Sequence, residues 1–206
     1  IEKERTDEAD KVSARITEML LEKTFSFTPD FLLRIHQRLF EGIYKHAGAY
    51  RTVNISKKEW VLGGDTVMYS SYDMLRETLE YDFELEKRVD YNALNVDLAI
   101  KLICKFISDI WQIHPFREGN TRTTAVFTMK YLQTFGFTVN NDVFKDNSWY
   151  FRNALVRANY KNLPKDIHST SEYLELFFRN LILGEQNVLS NRSMLVFESQ
   201  SANKEI

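Results

Sequence analysis

The stretch His114-Pro115-Phe116-Arg117-Glu118-Gly119-Asn120-Thr121-Arg122 gathers an imidazole, a carboxylate, an amide, two guanidinium groups and a glycine within nine residues. An imidazole changes charge near neutral pH, so His114 can take a proton from a hydroxyl. Glu118 offers the hard oxygen that Mg²⁺ prefers, and that ion commonly bridges to nucleotide phosphates. Gly119 lets the backbone come close to an anion, and a helix starting just beyond it would present free N–H groups and the positive end of its dipole. Arg122 can neutralise a phosphate with forked donors, and Asn120 can donate to a non-bridging oxygen. Each residue alone has an ordinary use: a histidine cap, a Pro/Gly turn, a surface ion pair worth little. The combination, set between two apolar helices, argues for proton abstraction beside a metal-bound phosphate.

The flanking elements would position that stretch. Asn95 to Ile113 carries Val96, Ala99, Ile103, Phe106, Ile107 and Ile110 on one helical stripe, while Thr123 to Phe135 is apolar almost all round, as a central helix should be. Gly136 is a plausible stop. Upstream, a helix is expected over about Asp7 to Lys23, with Val12, Ile16, Met19 and Leu20 on one face. Thr28-Pro29-Asp30 reads as the start of a second, carrying Leu32, Leu33, Ile35, Leu39, Phe40 and Ile43. Further helices are expected from Tyr72 through Glu86, about Asp146 to Tyr160, Ser171 to Leu183 with Gly184 ending it, and about Leu189 to Phe197. Between Glu59 and Tyr69, β-prone runs flank a Gly63-Gly64-Asp65 turn and predict a small hairpin. The fold class expected is therefore all-α, a helical bundle with a β-hairpin flap, in one domain with its core at about residues 27–184.

The 114–122 stretch resembles the motif of the Fic (filamentation induced by cAMP) family of protein adenylyltransferases, His-x-Phe-x-Asp/Glu-Gly-Asn-Gly-Arg-x-x-Arg. His114, Phe116, Glu118, Gly119, Asn120 and Arg122 match position for position. The run from Ile35-His36-Gln37-Arg38-Leu39-Phe40 through Ile43-Tyr44-Lys45-His46-Ala47-Gly48 to Arg51 is similar too, with His46 where tryptophan is common. The resemblance implies that His114 deprotonates a Tyr, Thr or Ser hydroxyl, which attacks the α-phosphate of ATP, with Mg²⁺ on Glu118. It places Phe116, Gly119, Asn120, Thr121 and Arg122 at the nucleotide, Phe116 as the loop's anchor in the core. Tyr150 and Asn153 are candidates for the base pocket. Two positions depart from the motif: Thr121 replaces the second glycine, and Ala125 the final arginine. That arginine usually partners an inhibitory glutamate from a Ser/Thr-x-x-x-Glu-Gly/Asn helix. No full motif of that kind is found, so the usual self-inhibition is expected to be missing.

The resemblance also makes the 59–69 hairpin a flap that docks a protein target by strand addition, through Val61, Leu62, Thr66, Val67 and Met68. A protein substrate is thus the expected partner; self-modification and homo-oligomerisation stay open. Transfer of another phosphate-containing group, or a degenerate Fic module that only binds, are the alternative readings. A net charge of −2 gives no electrostatic pull toward nucleic acid or an anionic membrane, and no basic recognition helix stands out. No apolar run is long enough to span a bilayer and no secretory leader is visible, so a cytoplasmic location is expected. The lone Cys104 lies within an apolar stripe and reads as a small buried hydrophobe.

Overall fold

A computed structural model describes residues 2–139 and 141–196, with side chains from Asp7 onward. Eight α-helices make up the bulk of it: α1 (Glu2–Leu21), α2 (Pro29–Phe40), α3 (Leu75–Glu86), α4 (Val96–Ile113), α5 (Asn120–Thr134), α6 (Asp142–Asp146), α7 (Ser148–Asn159) and α8 (Glu172–Leu183). Among the described residues there is no sheet, only an isolated antiparallel bridge between Asn162 and Ile167.

Helix α5 runs through the centre, against α1, α2 and α4. Most of its side chains are buried, including Thr123, Val126, Phe127, Met129 and Leu132. Phe127 packs within an aromatic cluster with Phe25, Phe27, Phe83, Phe106 and Tyr131, with Phe83 edge-on at 5.4 Å. Rings that meet edge to face add a directional term to ordinary area burial. Lys130 is buried as well and solves its charge locally: Nζ donates to the carbonyls of Met19 and Glu22, both at 2.7 Å, closing the C-terminal end of α1. Cys104 is fully buried and burial pushes its thiol well up, so it is inert packing.

The helix starts follow their capping chemistry. Thr28 Oγ1 accepts from Phe31 N, with Pro29 in the first turn, and Asn95 Oδ1 accepts from Leu98 N at 2.9 Å. Several boundaries differ from the sequence reading. A 3₁₀ turn (Tyr72–Met74) precedes α3, the helix expected over about Asp146 to Tyr160 is α7, and a short helix that was not expected, α6, precedes it. In place of a helix over about 189–197 there is a 3₁₀ turn, Arg192–Met194, with Phe197 outside the described residues. Met194 there is buried, and Val196 N donates to Val61 O, so the segment is held to the flap in place of closing a helix of its own.

The 59–69 segment is also not a strand pair. Trp60–Leu62 form a 3₁₀ turn followed by Gly63 and Gly64, both at positive φ. The reason lies in the side chains: consecutive Val61 and Leu62 are both buried, whereas neighbours on a strand point to opposite faces. Glu59 N donates to Asp65 O, and Gly64 N to Glu59 O, so the flap closes on itself as a compact loop.

Candidate active site

Helices α4 and α5 meet at the 114–119 loop, and both ends of that loop adopt left-handed backbone. His114 caps α4 at φ 52 and ψ 58, and Gly119 precedes α5 at φ 79. Helix α5 starts at Asn120, three residues earlier than its apolar pattern suggested, so Asn120, Thr121 and Arg122 form its first turn. The free N–H groups of a fifteen-residue helix therefore open directly after Gly119. A Cβ on Gly119 would clash with the edge of the Phe40 ring, 2.6 Å from Cζ, so both conformation and space favour glycine there.

Arg51 sets the shape of the loop. Its buried guanidinium donates to the carbonyls of His114 at 2.8 Å, Val53 at 2.8 Å, Ile113 at 3.3 Å and Ser70, and its own N–H donates to Pro115 O at 2.9 Å. Inside the loop, Asn120 spans the turn: Oδ1 accepts from Phe116 N at 3.0 Å and Nδ2 donates to Phe116 O at 2.8 Å. Phe116 stacks on His36, 3.8 Å between centroids and 8° between planes. Gly48 N donates to His36 Nδ1, which leaves Nε2 as the protonated nitrogen, and this donates to Glu118 O at 3.0 Å. Burial lowers the His36 pKa to about 4, so the neutral tautomer that makes both bonds is the stable one.

His114 is 1% exposed, stacked on Tyr69 at 4.1 Å and edge-on to Trp111 at 5.0 Å. Its Nδ1 lies 3.1 Å from Trp111 O, a carbonyl that can only accept. Nδ1 therefore carries the proton, and Nε2 holds the lone pair a general base needs. Burial, then the nearby positive charge of Lys57, pushes the imidazole pKa well below its ordinary value, so the ring is neutral at physiological pH. Arg152 and Arg51 add to that effect. Arg152 is held by Glu59 at 2.7 Å, a carboxylate 2% exposed that also accepts from Tyr69 Oη at 3.4 Å. The flap is thus bonded to α7 and, through Tyr69, to the face of His114.

The other expected residues divide into two groups. Glu118 is at the loop mouth, its carboxylate paired with Lys57 Nζ at 3.0 Å. Thr121 Oγ1 accepts from Trp111 Nε1 at 3.0 Å, bracing the helix start against α4. Arg122 lies over the Phe40 ring at 4.7 Å, donates to Tyr44 Oη at 3.0 Å and pairs with Glu8 of α1 at 3.4 Å. Tyr150 and Asn153 direct their bonds elsewhere, to Tyr173 O and Asn191 Oδ1, although Asn153 leaves Oδ1 buried without a partner. In the flap, the Val61, Leu62 and Val67 side chains face the core. Thr66 Oγ1 accepts from Lys57 N, and Val61 O accepts from Val196 N of the chain itself. Met68 stands 85% exposed. Lys57, Tyr69, Glu59 and Arg152 were not legible as site residues, because only tertiary contact brings them to the imidazole.

Beside Ala125, a cavity of about 370 Å³ opens between α1, α5 and α6, lined by Val12, Ile16, Arg122, Met129 and Phe144 among others. For a metal, the donor set is a single exposed carboxylate; among the described residues no three His, Cys, Asp or Glu side chains converge. One carboxylate suits Mg²⁺ carried in on phosphates and waters, and does not suit a caged structural ion.

A family model described as the Fic/DOC family matches residues 26–132. The protein adenylyltransferase VbhT of Bartonella schoenbuchensis is 27% identical over 116 residues, 56% of this chain and 23% of VbhT. A probable protein adenylyltransferase, y4lH, of Sinorhizobium fredii is 29% identical over 126 residues, 60% of this chain and 61% of that protein. The chain thus spans less than two thirds of either curated relative. Among solved structures, BepC of Bartonella tribocorum with bound AMPPNP superposes with a TM-score of 0.67 at 18% identity, covering 87% of this chain and 86% of that one. The N-terminal Fic domain of a putative cell filamentation protein of Bartonella quintana with bound ADP gives 0.68 at 18% identity, covering 87% and 85%. These likenesses show the fold. No helix among the described residues is long and apolar enough to cross a membrane.

Proposed function

The chain belongs to the Fic/DOC family, and from that premise we propose that it is a protein adenylyltransferase, moving AMP from ATP to a hydroxyl of a protein. The observation that carries the reading is the tautomer of His114: Nδ1–H is committed to Trp111 O, and Nε2 is left as the base. In the reaction, Nε2 takes the proton of a Tyr, Thr or Ser hydroxyl. The hydroxyl oxygen bonds to the α-phosphorus as the bond from that phosphorus to the β-bridging oxygen breaks, and pyrophosphate leaves. Phosphates rest on the N–H groups at the start of α5, with Gly119 allowing close approach. A Mg²⁺ on Glu118 would offset charge on the phosphate oxygens. The protein itself forms no covalent bond here, so positioning and fixed dipoles supply the acceleration. The rim of the flap at half-buried Thr66 and exposed Met68, in place of the paired strands expected, is the docking edge for the target.

Incubation with ATP labelled on the α-phosphate and a lysate, read by intact mass and peptide sequencing, tests the reaction. The expected product is heavier by one AMP, and His114→Ala, folded by circular dichroism, yields none. Labelling from the γ-phosphate instead, or full labelling by folded His114→Ala, refutes the reading.

A further inference from the structure

Three cations stand close enough to His114 to affect its imidazole: Lys57, Arg152 and Arg51. Two of them are committed. Arg51 is buried and bound to four carbonyl oxygens. Arg152 is bound by both Nε and Nη2 to Glu59, whose carboxylate is buried, so parting them would leave a buried charge alone. Lys57 differs. Its ammonium makes one ion pair, to Glu118, in which the carboxylate is 59% exposed and the lysine side chain 22% exposed. A pair of that kind holds weakly and is exchanged at little cost.

Lys57 is also placed by structure rather than by chance of a long side chain. Its N–H donates to Thr66 Oγ1, so the residue is fixed to the flap, while its ammonium reaches the loop before α5. Its partner, Glu118, has its own carbonyl fixed by His36. Both backbones are thereby anchored, and only the two side-chain ends can move. The same carboxylate is the oxygen ligand that a metal–nucleotide would bring into use, and an ammonium displaced from it lies beside the incoming phosphates.

We propose that Lys57 is a phosphate-binding residue held in reserve by Glu118: when Mg²⁺ and ATP enter, the carboxylate passes to the metal and the ammonium passes to the polyphosphate. In the free protein the pair keeps a carboxylate and an ammonium mutually neutralised at the mouth. In the complex each charge meets a stronger opposite charge, while the Thr66 bond keeps the lysine backbone on the flap. The proposal deepens the adenylyltransfer reading and rests on it for the identity of the nucleotide.

The test is calorimetric titration of the full chain with ATP plus Mg²⁺, and separately with adenosine, for the wild type, Lys57→Met and Lys57→Arg. Lys57→Met keeps the stem and removes the charge. Expected are an ATP affinity at least fivefold weaker in Lys57→Met, substantially restored in Lys57→Arg, and an adenosine affinity within twofold of wild type throughout. A loss smaller than fivefold in a Lys57→Met protein of wild-type melting temperature overturns the proposal. So does an equal loss for adenosine, which would make Lys57 a scaffold residue. A wild type that binds ATP but transfers no AMP would refute the adenylyltransferase reading and leave this assignment standing. A wild type that binds no ATP would refute both.

Discussion

Arg122, the motif arginine, is not free in this structure, and the strength of its tether decides whether helix α1 restrains the proposed transferase. Its guanidinium has three neighbours: the Glu8 carboxylate at 3.4 Å, Tyr44 Oη at 3.0 Å and the Phe40 ring at 4.7 Å. Glu8 is the only charged one, and it comes from α1, the element next to the cavity beside Ala125. The ion pair is half in water, with side-chain exposures of 41% for Arg122 and 31% for Glu8. A pair so placed is worth about 0–1 kcal/mol after screening, and 1 kcal/mol corresponds to about a fivefold change in an equilibrium constant. Glu8→Gln should therefore raise ATP affinity, and any self-modification rate limited by nucleotide binding, by no more than about fivefold. Tyr44 and Phe40 keep Arg122 in place in that variant. Calorimetry with ATP and Mg²⁺, paired with a time course of self-labelling, reads both quantities. A rise beyond tenfold would show that Glu8 acts as a lock. The expectation that self-inhibition vanishes with the arginine at position 125 would then be wrong, since α1 would have moved the lock to Arg122.

Gly119→Ala must accept left-handed backbone at about 1–2 kcal/mol and crowd the buried Phe40 ring at about 1–3 kcal/mol more. At about 2–4 °C per kcal/mol for a chain of this size, its melting temperature should fall by several degrees at least; a fall under 2 °C in thermal denaturation contradicts the geometry. For pH, His36 has a folded pKa of about 4 against the usual 6.5. Between those values the unfolded chain binds a proton that the native one refuses, so stability drops as pH falls through that window, by at most about 3 kcal/mol from this group. Urea unfolding of wild type and His36→Gln at several pH values should show the variant losing less over that window; parallel losses would remove His36 from the account.

The sequence made the 114–122 stretch legible because its residues are contiguous and their chemistry is local. A histidine ending an apolar helix, a glycine, and an arginine one turn into the next can be recognised without knowing the fold. The helices around it were legible for the same reason, since a stripe of Ile103, Phe106, Ile107 and Ile110 is written in one segment. The flap was misread as a hairpin because Gly63-Gly64 is a strong turn signal, whereas burial of both Val61 and Leu62 depends on a core contributed from elsewhere. Lys57 and Arg152 are 57 and 38 residues from His114 along the chain, and neither carries a local mark. Their relevance arises from the Lys57–Glu118 and Arg152–Glu59 pairs, which only folding creates.

The backbone at His114 ties these levels together. A residue ending a helix in left-handed conformation is most often glycine, and any other side chain there bears a steric cost. Here the position is histidine, at φ 52. Among the described residues only Asp166 otherwise combines a side chain with positive φ. Glycine would relieve the strain and remove the imidazole, so a fold that keeps histidine here must hold a conformation it does not favour. Arg51 is the means: by donating to the carbonyls of Ile113 and His114, it fixes the peptides on both sides of the strained Cα. That conformation also places Nδ1 against Trp111 O, one turn back on α4, and this selects the tautomer. The strain, the buried arginine and the free Nε2 are therefore one arrangement, in which a helix end that would more readily take glycine carries the side chain the proposed chemistry requires.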